Sequence, residues 1–127
     1  MVQCFCIENP KREKGFIFDL SRGWGNGYLV FNRKHPLHGR HYDEINMSNH
    51  LPPHGGWTYS EKANDNFFNT INLITIENEE LQINVDDWII GFDTAHAGDD
   101  SNNCQKDYVV NHTKQLKEYY NKVENFI

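Results

Sequence analysis

The chain has 127 residues, 38% hydrophobic and 24% charged, with 18 acidic against 12 basic side chains and a net charge of −6. That length suits one domain that buries about two-thirds of its surface without staples, and three Trp, six Tyr and eight Phe give its core bulk. The negative balance argues against sequence-neutral binding to phosphate backbones, and no run of about 18 apolar residues is present to span a membrane.

In chain order, Met1 to Glu8 is too short and too soon charged for a signal peptide, which predicts a cytoplasmic protein. Val2 to Ile7 alternates weakly and predicts a strand that sets Cys4 and Cys6 on one face as buried thiols. Asn9 to Gly15 is a polar turn, and Gly15 to Leu20 resumes strand character. Ser21 to Gly27 is glycine-rich and holds an Asn26-Gly27 hairpin signal before a strand at Tyr28–Phe31, so an antiparallel meander is expected. Asn32 to Gly56 lacks periodicity and carries five histidines, as functional loops do. Trp57 to Ser60 predicts a strand and Lys62 to Asn69 a loop. Thr70–Ile76 and Leu81–Val85 predict a hairpin, and Trp88 to Asp93 a central strand. Thr94 to Cys104 is a Gly/Asp/Asn loop. Val109, Thr113, Leu116, Tyr120, Val123 and Ile127 then recur at helical steps, with Asp107 as N-cap or first-turn acid and Lys114, Lys117 and Lys122 toward the C-terminal half. The expected fold is α+β: a twisted, mainly antiparallel β-sheet with one C-terminal amphipathic helix packed on it. It forms a single domain over 1–127, with 1–23 an N-terminal extension or hairpin, 24–105 sheet and loops, and 106–126 the helix.

Two glycine-punctuated segments carry the chemistry: His54 to Ser60 and Gly91 to Asp100. Asp93, His96, Asp99 and Asp100 offer three carboxylates and an imidazole. With His54 they make a mixed N/O donor set for a divalent metal that could activate water, with His54, Asp93, His96 and Asp99 as ligands. Alternatively Gly55 and Gly56 let the backbone approach an anion, with Arg22, Lys34 and Arg40 supplying charge and Trp24, Trp57, Tyr59 or Phe92 stacking on a base. Ser60, Thr58 and Cys104 are possible nucleophiles. The plain alternative is that the aspartates tie up loop amides, His96 is a structural hydrogen-bonding residue and the aromatics are core.

Gly27-Tyr28-Leu29-Val30, His35-Pro36-Leu37-His38-Gly39, His54-Gly55-Gly56-Trp57-Thr58-Tyr59-Ser60 and Trp88 through Asp99 follow one another in an order that resembles a family of small, uncharacterised proteins of tailed bacteriophages and prophages. Members of that family read H-G-G-L-T-[FY]-S and W-W-x-G-F-D-x-A-H-x-G-D. This chain departs at Phe31-Asn32, where the family has Val-Pro, and at Trp57, where it has Leu. The resemblance implies a phage origin and a site location, but no reaction. Three functions are expected to compete. One is an accessory, possibly counter-defence, protein that binds and sequesters a small nucleotide-like ligand with His54, Gly55, Gly56, Trp57, Tyr59, Asp93 and His96. Another is a metal-dependent, phosphodiesterase-like hydrolase. The last is an acidic protein–protein inhibitor of a host defence enzyme.

Overall fold

The computed structural model describes residues 1–9, 23–63, 73–75, 81–96, 98–99 and 102–126. The expected strand at Gly15–Leu20, most of the expected loop up to Asn69, and Arg22, Asp100 and Ile127 lie outside these residues. The described elements are β1 (Gln3–Glu8), β2 (Gly25–Phe31), α1 (Tyr42–Asn46), β3 (Tyr59–Lys62), β4 (Leu73–Thr75), β5 (Trp88–Phe92) and α2 (Lys106–Asn121). The strands form one sheet in the order β3-β5-β2-β1-β4, and every neighbouring pair is antiparallel. α2 packs on one face, so the fold is α+β.

Strand alternation divides the core into two layers. Toward α2 lie Cys4, Cys6, Leu29, Phe31, Ile90 and Phe92, which meet Val109, Leu116 and Tyr120 of the helix. The opposite face holds Phe5, Val30 and Ile89, covered in part by Tyr28, Tyr59, Leu81 and Ile83. Full burial of each such aliphatic or aromatic side chain contributes about 1.5–3 kcal/mol. None of the three cysteines is in a disulfide, and burial pushes the Cys6 thiol up to about 11, against a smaller opposing effect of its hydrogen bond to Thr113.

Four local expectations are corrected. Asn26-Gly27 is not a hairpin turn, because both residues lie inside β2. A Cβ at Gly27 would stand 2.2 Å from Thr113 Oγ1, so the glycine is there to let the helix approach the sheet. The meander does not follow chain order, since β1 pairs directly with β2, and the Gly15–Leu20 strand expected between them lies outside the described residues. Leu81–Val85 is not a strand. Gln82 is held instead by the Gln3 side chain, whose Nε2 donates to Gln82 O at 2.8 Å and whose Oε1 accepts from Gln82 N at 2.7 Å. The segment then turns on Asp87, whose carboxylate accepts from Asn84 N. The aperiodic middle contains a helix, α1, capped by a reciprocal box between His41 and Glu44. On α2, Gln105 is the N-cap, Asp107 is the first-turn acid, and no basic residue occupies the last turn.

The capped turn of α1 sets up the path to the site. Asn46, at its end, grips the main chain of Trp57 with both amide atoms, at 2.7 and 2.8 Å. This fixes the segment that runs from His54 into β3. Among the described residues no helix is long and apolar enough to cross a membrane.

Candidate functional site

β5 ends at Phe92, β3 begins at Tyr59 and α2 begins at Lys106, and the loops at these three points meet at one end of the sheet. His54 and His96 come together there with their rings 5.6 Å apart. One carboxylate joins them. Asp99 Oδ1 lies 2.8 Å from His54 Nε2, and Asp99 Oδ2 lies 3.1 Å from His96 Nδ1. The other nitrogen of His96 is 3.4 Å from Asp93 Oδ1, and Asp93 Oδ2 accepts from Thr58 Oγ1.

The local sequence explains this geometry. Gly98 takes φ +92°, and the turn closes with Asp99 N donating to His96 O at 2.9 Å. Asp99 then folds its side chain back, and Oδ2 also accepts the His96 amide at 2.9 Å. Gly55, at φ +71°, lies so close to the His96 ring that a Cβ there would fall 2.3 Å from Cε1. Gly55 thus makes room for an imidazole, while the open side of Gly56 faces Asn46. The Gly56 N–H is used within a turn, donating to Pro53 O.

Asp99 is 8% exposed, and the side chains of His54, His96 and Asp93 are 22%, 33% and 38% exposed, so a buried carboxylate underlies an open imidazole rim. Burial works to raise the Asp99 carboxyl, but hydrogen bonds from His54 and His96 outweigh it and hold the group below the usual carboxylate range.

Two residues absent from the expected site, Tyr108 and His112, belong to it, and Cys104, expected only as a possible nucleophile, joins them. Tyr108, in the first turn of α2, places its hydroxyl 2.9 Å from His54 Nδ1. Burial first, then the charges of Cys104 and Asp99, raises its phenol. His112, one turn on, stacks under Tyr108 with ring planes 9° apart and accepts the His54 amide at 2.8 Å. Burial, and then His54, lowers this ring's affinity for a proton, in keeping with an accepting Nε2. Cys104, 2% exposed, sets Sγ 4.0 Å from His54 Nε2. The glycine-rich segment before β2 holds it there. Trp24 N donates to Cys104 O at 2.7 Å, and Gly23 has no room for a Cβ beside the cysteine. The pair Tyr108/His112 shows in the sequence only as a polar i, i+4 step beside the apolar face of the helix.

Other expected site residues stand elsewhere. Trp57 is core: it is 2% exposed, and its indole N–H donates to Tyr120 Oη at 3.2 Å. Tyr59 lies on the opposite face of the sheet, edge-on to Tyr28 and bonded to Glu61. Neither can stack on a ligand beside His54. Phe92 is buried and Trp24 packs against the core. Lys34 follows β2 and Arg40 receives the Trp88 indole N–H at the start of β5, so both belong to the far end of the sheet. Ser60 Oγ accepts the Tyr42 amide and anchors α1. The expected metal set changes too. Among the described residues the donor atoms that converge are those of His54, Asp99 and Cys104, all within 4.8 Å of one another, while Asp93 and His96 stand around them.

Comparison with protein-family models, with curated proteins and with solved structures finds no match for this chain.

Proposed function

We propose that the chain is a hydrolase that cleaves a phosphoester bond of a small nucleotide-like molecule at the His54 end of the sheet. The observation that carries this reading is the Asp93–His96–Asp99–His54 row, in which each carboxylate touches an imidazole on an accessible rim. Such a row moves protons between neighbouring groups, and a positioned acid and base contribute typically 10²–10⁴-fold to rate. In the proposed step water attacks phosphorus and forms the new P–O bond, and Asp93 takes its proton. The bond to the leaving oxygen breaks, and His96, as imidazolium, protonates that oxygen. The proton on Asp93 then passes to His96 and resets the pair. The resemblance to phage proteins suggests a setting in the host cytoplasm, where destroying a nucleotide signal would be counter-defence.

One observation favours sequestration as a second reading. The Tyr108 ring is 40% exposed beside His54 and offers the stacking surface that Trp57 and Tyr59 do not. Both are tested by incubating untagged protein with linear and cyclic mono- and dinucleotides, with and without added divalent metal, and then chromatographing the denatured mixture. Cleavage of at least one compound, lost about 100-fold or more in His96→Ala, is the expected result. A compound retained but released intact would replace hydrolysis with sequestration. With neither, protein–protein inhibition by the acidic surface would stand.

A further inference from the structure

We infer that His54 Nε2, Asp99 Oδ1 and Cys104 Sγ hold a single zinc-class divalent ion. The inference rests on the hydrolytic reading only for what the ion would do, since the site itself is argued from donor geometry. The first argument is convergence on one nitrogen. Asp99 Oδ1 is 2.8 Å and Cys104 Sγ 4.0 Å from the same His54 Nε2. In a nucleophile–base–carboxylate triad the two ring nitrogens are divided between the nucleophile and the acid. Here one nitrogen faces both, and the other faces Tyr108 Oη at 2.9 Å. That pattern does not suit a cysteine nucleophile. It does suit three donors that share one central charge.

The second argument is fit. Ligand bonds of about 2.0–2.3 Å at tetrahedral angles place neighbouring donor atoms about 3.3–3.6 Å apart. The three atoms here lie within 4.8 Å of one another, with separations from His54 of 2.8 and 4.0 Å on either side of that value. The two separations from His54 each need about half an ångström of adjustment and the Asp99–Cys104 separation at most about 1.3 Å, shared among three side chains. The third argument is the surroundings. A ligating imidazole generally hands its other N–H to an oxygen, and a ligating carboxylate is usually hydrogen-bonded through its second oxygen. Tyr108 Oη stands ready for the first, and Asp99 Oδ2 is already held by the His96 amide and ring. Cys104 is buried and Asp99 nearly so, whereas the His54 side chain is 22% exposed, so a fourth position would open toward the rim that carries His96 and Asp93. A thiolate and an imidazole select zinc over magnesium or calcium. An ion with an open position lowers the pKa of its water to about 7 and so supplies the nucleophile that the hydrolytic reading requires.

The test loads untagged, full-length protein with cobalt(II) as a spectroscopic stand-in for zinc. One equivalent is expected to bind, with a sulfur-to-cobalt charge-transfer band in the near ultraviolet. That band should vanish in Cys104→Ser, and affinity should fall by at least about 100-fold in His54→Ala, while His96→Ala keeps both the stoichiometry and the band. Cys104→Ala and thermal unfolding of each metal-free variant separate loss of the site from loss of the fold. Absence of saturable binding, or binding with no charge-transfer band in the unaltered chain, would overturn the inference. Hydrolysis that persists in the metal-free protein would overturn the ion's role in the reaction and leave the binding site to the cobalt result. Cobalt bound as described without cleavage of any nucleotide would overturn the hydrolytic reading alone.

Discussion

The molecule has two histidine-rich ends that use the same side chain in opposite ways. At the end where β2 finishes, His35 stacks on Phe31 with centroids 4.0 Å apart, gives Nε2–H to Tyr120 O at 2.9 Å and accepts the Leu37 amide on Nδ1 at 3.1 Å. His50 likewise bonds the Tyr119 hydroxyl and the carbonyl of Phe126, tying the C-terminal segment down. Their partners are main-chain groups and hydroxyls, which carry no charge, and at His35 they fix the tautomer that donates from Nε2. At the other end, His54 and His96 face carboxylates. A carboxylate brings a formal charge that a main-chain carbonyl lacks, so this end presents ionic partners to an incoming group. Position along the chain does not separate the classes, but partner chemistry does.

The widest separation between the ends is expected in catalysis. His96→Ala should lower the hydrolytic rate by about 10²–10⁴-fold while moving the urea midpoint by less than the equivalent of about 1 kcal/mol. His35→Ala should do the reverse. It deletes a ring stack and two hydrogen bonds and removes the acceptor of the Leu37 amide, a loss of about 2–3 kcal/mol in stability with turnover of the folded fraction unchanged. Equal effects on rate and stability in both variants would erase the distinction.

How much of this contrast is legible in the sequence depends on the range of the interaction. The helical steps Val109, Thr113, Leu116 and Tyr120 are buried as their spacing predicts, and the weak alternation of β1 and the apolar run of β5 locate those strands. His54, Asp93, His96 and Asp99 stand out because glycines flank them and local turns bind them. Tyr108 and His112 do not stand out, and Cys104 does so only as a possible nucleophile, because their relation to His54 spans 50 to 58 residues and depends on how α2 crosses the sheet. Trp57 misleads for a related reason. Its neighbours Gly55 and Gly56 mark a site, yet it lies ahead of β3 with its main chain gripped by Asn46, and its ring goes inward, where it is sealed by Tyr120, whose phenol burial pushes up to about 12. Asn26-Gly27 misleads because a glycine needed for close helix packing looks the same as one needed for a turn.

A smaller effect probes the functional end through its backbone. Gly55→Ala adds a Cβ at φ +71° directly against the His96 ring. The expected cost is about 1–2 kcal/mol, with His96 displaced and the rate down about tenfold. Gly39→Ala, also at positive φ (+81°) but with nothing within 4 Å of the added atom, should cost a similar or smaller amount and leave the rate unchanged. If Gly39→Ala slows hydrolysis as much as Gly55→Ala, backbone strain rather than the His96 contact governs the site.

The smallest expected effect is the pH dependence of the structural end. Burial holds the His35 ring below its ordinary value of 6.5, only partly offset by the Tyr120 carbonyl, and the N-terminal amine, His50 and His38 push the same way. Above pH 6.5 the ring is neutral in both folded and unfolded chains, and its contribution to stability is fully present. As the pH falls through 6.5 the unfolded chain takes up a proton that the folded chain refuses, so stability declines until the pH reaches the lower folded value. The refusal has a geometric cause: protonating Nδ1 would set an N–H against the Leu37 N–H that it now accepts. Urea midpoints measured across this window should fall with pH in the unaltered chain and fall less steeply in His35→Gln. Residual slope is expected from His112, which burial and His54 shift in the same direction. If His35→Gln leaves the slope intact, the clamp at that end is not what acid loosens.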